Sequence, residues 1–302
     1  MNTAGRWWGV WRRLRLDPVL LVSLLLIMSV GLLVLYSAGE QSVDMLWRQA
    51  LRLGLATVVM LIVSQIPPRL YRDWTPWMFL AALLPLTAVL VIGVGSGAER
   101  WLDLGVVRFQ PAELMKLVLP LMVAWLMHQR PLPPEWWQSL LASLFIAVPL
   151  LLIIRQPDLG TALIVTMSGA CVILLAGLSW RLIAFIVATA AAAVPFLWQG
   201  LRPYQQERIR TFIDPGADPL GQGWNVIQSK IAVGSGGLTG KGWQQGSQSH
   251  LEFRPEPHTD FVLAVLAEEF GLIGVLLLLA LYLVIVLRGL SIARNGRDTF
   301  EQ

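Results

Sequence analysis

Charge is the first thing this chain lacks. Only 14% of its 302 residues are Asp, Glu, Lys or Arg, against about 25% in an ordinary soluble domain. A single cysteine, Cys171, excludes an internal disulfide and with it a disulfide-stapled secreted scaffold. Set in an apolar run, Cys171 reads as a buried small hydrophobe. The three histidines (His128, His250, His258) stand at no ligand spacing and near no thiolate, so the sequence assigns no metal site. Low-complexity tracts and internal repeats are absent too, which argues against disorder and against an inverted-repeat transporter. The net charge is +4. Its basic residues cluster beside apolar segments instead of forming one stripe, so nucleic acid is not an expected partner. What is abundant is apolar: 56% of residues are hydrophobic and mean hydropathy is +0.63. This composition implies an all-α, polytopic membrane protein.

A helix needs about 20 mostly apolar residues to cross about 30 Å of hydrocarbon. Stretches without Asp, Glu, Lys or Arg cover 18–39, 74–98, 136–154, 159–180, 182–201 and 270–287, the last extended upstream toward Phe261. Two more carry charge near one end: 46–66 with Arg48 and Arg52, and 112–128 with Glu113 and Lys116. Eight spans are therefore expected. Arg6, Arg12, Arg13 and Arg15 before the first span, and Arg288, Arg294 and Arg297 after the last, place both termini in the cytoplasm. Loops 67–73 and 129–135 and Arg181 then lie inside, while 40–45, 99–110, 155–158 and the long segment 202–259 lie outside. Trp47, Trp74, Trp77, Trp136, Trp137, Trp180 and Trp198 sit at expected span boundaries and read as an interfacial aromatic belt. The whole chain, 1–302, reads as one membrane domain with 202–259 as its large outer loop between spans seven and eight. Aromatic and aliphatic positions in that loop, such as Tyr204, Ile209, Phe212, Trp224 and Trp243, argue that it folds onto the membrane surface.

Ionisable groups within a bilayer are costly, and their default reading is functional. Glu113 and Lys116 lie one turn apart on the helix opened by Pro111, as a structural ion pair or as a charged cavity wall. Arg48 and Arg52 share one face of the second span, either snorkelling to headgroups or facing a cavity. Asp158, in the turn Arg155-Gln-Pro-Asp-Leu-Gly, reads first as a helix N-cap. The eighth span opens Pro257-His-Thr-Asp-Phe261 and continues to Glu268-Glu269. Asp260 at its N-terminus suits a helix cap and a general base equally. The run Gly236-Gly-Leu-Thr-Gly-Lys-Gly242 superficially suggests a phosphate loop. Ser235 and Gly242 occupy the two positions where that loop needs Gly and Ser or Thr, so the match fails.

Four stretches carry a resemblance. They are Trp101-Leu-Asp-Leu-Gly with Arg108-Phe-Gln-Pro-Ala-Glu-Leu-Met-Lys116, and Gln156-Pro-Asp-Leu-Gly-Thr161. The others are Asp218-Pro-Leu-Gly with Gln228-Ser-Lys-Ile-Ala-Val-Gly-Ser-Gly-Gly237, and His258-Thr-Asp-Phe261 with Glu268-Glu-Phe-Gly-Leu-Ile273. Together they resemble the SEDS family, in its rod-shape (elongation) branch, through essentially the whole chain. The resemblance implies a peptidoglycan glycosyltransferase that polymerises lipid II on the outer face of the bacterial inner membrane, beside a class B penicillin-binding transpeptidase. It implies Asp260 as the catalytic base. It also implies Glu113, Lys116, Asp158, Arg48 and Arg210 as charges around a cavity. Family members typically have ten spans, with a Pro-Leu-Pro…Ser-Tyr-Gly-Gly stretch in the last pair. This chain, ending at Gln302 without it, is expected to be C-terminally truncated.

The chemistry suits the residues. An acceptor hydroxyl must lose its proton as it attacks the donor's anomeric carbon, and a carboxylate such as Asp260 accepts it. A lipid pyrophosphate leaves, and Arg48, Lys116, Arg210 and Lys230 are the cations expected to stabilise its charge. The sequence does not fix whether a divalent cation takes part. Two other classes suit the same features: a flippase for a lipid-linked sugar, and a non-catalytic scaffold of the elongation machinery.

Overall fold

The structure is a computed structural model. It describes residues 16–39, 41–95, 100–103, 105, 108–156, 158–178, scattered positions between 184 and 200, then 203–217, 223–246 and 262–301. The elements are α1 (Pro18–Ala38), α2 (Val43–Ser64), α3 (Pro68–Ile92), β1 (Leu102–Asp103), β2 (Arg108–Phe109), α4 (Pro111–His128), α5 (Trp136–Arg155), α6 (Leu159–Leu175), α7 (Pro203–Ile213), α8 (Gly223–Ser235) and α9 (Val262–Ala293). Among the described residues, α1, α2, α3, α4, α5 and α9 are long and apolar enough to cross a membrane, and α6 is a shorter apolar helix. The segment expected as the seventh span, 182–201, lies largely outside the described residues.

Two compact units emerge, Met1–Gln65 with Ala193–Ser291, and Ile66–Ala192 with Ile292–Gln302. In the first, α1 starts at Asp17, whose carboxylate accepts from the Val19 and Leu20 amides and holds Arg288 of α9 at 2.7 Å. The other end of α1 packs on the start of α9, with Val34 and Ala38 buried against Val265 and Leu266.

In the second unit, α3, α4, α5 and α6 share one buried core running from Phe79 and Leu86 through Met115 and Leu119 to Ile146 and Val165. Small residues let these helices approach closely. A Cβ on Gly169 would lie 2.9 Å from the Ile146 side chain. Residues 67–73, expected as a loop, instead belong largely to α3, because Pro68 occupies its first turn with its backbone angle already set for a helix. Residues 102–109 form a two-stranded antiparallel ladder pairing Leu102 with Phe109. At the far end of this unit Arg72 bridges to Asp298 at 3.1 Å, and His128 meets the Thr299 hydroxyl at 2.7 Å.

Cys171 corrects the sequence reading: it is exposed. In a membrane helix apolar neighbours face lipid as readily as core, so an apolar run does not imply burial. Trp47, Trp74, Trp77 and Trp136 are likewise exposed, in the first halves of α2, α3 and α5.

The last span also differs from expectation. It is not one continuous helix: Gly271 (φ 65°, ψ −162°) breaks α9 between a short N-terminal piece and a long C-terminal one. That backbone region is essentially open only to glycine.

Candidate functional site

The expected site residues fall into separate groups. In the first unit, Arg48 and Arg52 lie one turn apart on α2 and line a cavity of about 650 Å³. Gln49 lies between them, and the remaining walls are mostly apolar, with Ile27, Met28 and Leu35 of α1 and Met45 of α2. Val262, two residues after Asp260 in the chain, lines the same cavity. Two guanidinium groups in an apolar cleft suit a ligand with an anionic head and a hydrocarbon tail. Asp260 itself lies outside the described residues. Arg210 on α7 is exposed and sits over the Trp198 ring, 5.8 Å from its centroid, while Lys230 on α8 is exposed.

In the second unit, Lys116 Nζ meets Glu113 Oε2 at 2.6 Å, the side chains being 29% and 54% exposed. The pair forms as the one-turn spacing predicts, and it is open to its surroundings.

Asp158 is a hub. Its side chain is 7% exposed, caps α6 through the Thr161 amide at 3.2 Å, and accepts from the Thr161 hydroxyl at 2.9 Å. Arg100 reaches it at 3.0 Å and the Gln110 amide at 3.2 Å. Burial pushes this carboxyl up, but the hydrogen bonds from Arg100 and Thr161 and the Arg100 charge outweigh it and hold it below the usual carboxylate range. The N-cap reading of Asp158 is therefore met, with an ion pair added. Beside it the buried Gln156 amide donates to the Leu86 carbonyl at 2.9 Å.

Sequence reasoning missed a cluster in the first unit. Lys241 Nζ lies 2.7 Å from Glu268 Oε1, and Glu268 is fully buried. Neighbouring Glu269, 1% exposed, accepts from the Ser37 hydroxyl and from the Gln244 amide. Two adjacent acids in an otherwise apolar helix were the available signal. Among the described residues no group of three or more His, Cys, Asp or Glu side chains is placed to hold a metal ion.

Comparison with known proteins decides the family. A profile of the FtsW/RodA/SpoVE group, described as cell cycle protein, matches residues 14–302. The chain belongs to this family. Peptidoglycan glycosyltransferase MrdB of Escherichia coli K12 is 48% identical over 96% of this chain and 79% of that protein. Stage V sporulation protein E of Bacillus subtilis is 33% identical over 94% of this chain and 81% of its own length. Among solved structures, a chain of a peptidoglycan synthase complex superposes with a TM-score of 0.78 at 33% identity, over 94% of this chain and 80% of that one. The rod shape determining protein RodA of Thermus thermophilus gives 0.67 at 29% identity, over 94% and 79%. The SEDS resemblance carried by the four sequence stretches thus holds along the whole family match, and so does the all-α, multi-pass membrane fold.

Proposed function

We propose that this chain is a peptidoglycan glycosyltransferase that polymerises lipid II into glycan strands during cell elongation. One observation carries the reading: 48% identity to the glycosyltransferase MrdB across 96% of the chain. The cavity is consistent with it, because Arg48 and Arg52 offer two cations to a pyrophosphate beside walls suited to a polyprenyl chain.

In this reading the acceptor sugar's hydroxyl oxygen bonds to the donor's anomeric carbon as the carbon–oxygen bond to the lipid pyrophosphate breaks. Asp260 takes the hydroxyl proton as general base. Arg48, Lys116, Arg210 and Lys230 are the cations that stabilise charge on the departing pyrophosphate. Glu113 orients Lys116, and Asp158 fixes the start of α6 together with Arg100. The protein works in the bacterial inner membrane with both termini cytoplasmic, beside a class B penicillin-binding transpeptidase.

Purified protein and its transpeptidase partner, given labelled lipid II, should produce glycan ladders. Movement of lipid II across vesicles without polymer would support a flippase instead. Neither polymer nor movement would support a scaffold.

A further inference from the structure

A helix break inside a membrane protein exposes backbone groups, and each unsatisfied group in a lipid environment costs several kcal/mol. At Gly271 a second segment supplies partners for backbone groups on both sides of the break. The Lys241 and Gly242 amides donate to the Glu268 and Glu269 carbonyls, both at 3.0 Å. In return the Leu272 and Ile273 amides donate to the Gly237 and Leu238 carbonyls at 3.0 and 3.1 Å. Glycine is required on both sides of this contact. A Cβ on Gly236 would lie 2.0 Å from the Ala267 carbonyl oxygen, one on Gly240 2.1 Å from that of Glu269, and one on Gly271 2.3 Å from the Gly240 nitrogen. The run that imitates a phosphate loop is therefore a backbone plug for the broken helix.

The consequence concerns the nine residues 262–270, the N-terminal piece of α9. Because helical continuity stops at Gly271, the C-terminal piece does not set the direction of the N-terminal one. Side contacts set it. Lys241 pairs with the buried Glu268, Ser37 of α1 donates to Glu269, and Val34 and Ala38 pack on Val265 and Leu266. Trp243 adds a contact, its indole reaching toward the Leu33 carbonyl at 3.4 Å. In sequence this piece begins two residues after Asp260.

We propose that segment 236–244, through its backbone exchange with Gly271 and the Lys241–Glu268 pair, is the positioning device that aims the N-terminal piece of α9, which follows Asp260 in the chain. The inference rests on the reading of Asp260 as base. Lys241 and Glu268 are positioning residues in it, acting through the helix that follows Asp260. Displacement of a catalytic group by about 1 Å costs roughly 10²-fold in rate, so loosening this clamp should act on the chemical step.

The test uses the full chain as Lys241→Met, Lys241→Arg and Glu268→Gln, with lipid II polymerisation normalised to folded protein. Lys241→Met and Glu268→Gln should lower kcat about 10–100-fold with KM for lipid II within about twofold, and Lys241→Arg should restore most of kcat. Hydrogen exchange read on the same samples should rise over 257–270 in Lys241→Met while α1 keeps its protection. Lower yield with unchanged kcat per folded molecule would make the pair merely structural and overturn the inference. A raised KM with normal kcat would make Lys241 a substrate contact and overturn it equally. If the unsubstituted protein makes no polymer, the glycosyltransferase reading fails. The exchange measurement then decides the clamp by itself: faster exchange confined to 257–270 supports it, and unchanged exchange there refutes it.

Discussion

A carboxylate that caps a helix and also holds a guanidinium can be dissected by substitutions that remove one role at a time. Asp158→Asn keeps the α6 cap through Oδ1, since Asn and Asp cap about equally, but puts an amide NH2 where Oδ2 accepts from Arg100, Gln110 and the Thr161 hydroxyl. Losing that buried acceptor should cost roughly 1–3 kcal/mol. Asp158→Ala strands the same donors and removes the cap as well, adding about 1 kcal/mol. Thermal unfolding in detergent should rank them so. The pH dependence follows from the depressed carboxyl. The stability it contributes is fully present above the ordinary Asp value of about 3.9 and is lost as pH falls from there through the lower folded value. Asp17, held below its usual range chiefly by the Arg288 hydrogen bonds, contributes with the same sign. For Glu113 and Lys116, the half-exposed geometry sets a modest coupling. A double-mutant cycle with alanine should give about 0.3–1 kcal/mol, and strict additivity would dissolve the pair.

At the scale of elements, most helices were legible and the break was not. Long charge-free runs announce spans because only helices satisfy their own backbone in lipid. Pro18, Pro68 and Pro111 mark first turns, and Asp158 marks a start by its side chain. Gly271, by contrast, sits in an apolar run indistinguishable from a continuous span. Its meaning depends on glycines about 30 positions earlier, so neither segment explains itself in isolation. The same non-locality hid Lys241 and Glu268, and it hid the short ladder at Leu102 and Phe109. Gly271→Ala must place a side chain in a glycine-only region and against the Gly240 backbone. Strain of about 1–3 kcal/mol and overpacking of about 1–3 kcal/mol should together lower the Tm sharply. Gly31→Ala in α1, where a Cβ meets nothing within 4 Å, is the matched control and should leave the Tm nearly unchanged. Equal Tm values for the two would contradict the plug.

At the scale of the whole molecule, the described helices spread apolar surface over their exposed sides, while several ionisable groups form specific pairs. That arrangement suits a protein whose solvent is lipid and whose substrate carries an anionic head on a hydrocarbon tail. Composition made the membrane class plain, and motif spacing pointed to the family, because both are local in sequence. How the charges of the candidate site act together is a tertiary property, and for Asp260 it is a question of chemistry more than of pattern. Asp260→Asn keeps the size and capping ability of the native residue and removes its capacity to accept a proton. The decisive measurement is therefore the rate of glycan polymerisation from labelled lipid II by the Asp260→Asn protein, at equal membrane abundance with the unsubstituted chain. Loss of a general base should lower that rate about 10²–10⁴-fold, and a near-normal rate would contradict the account and return Asp260 to helix capping.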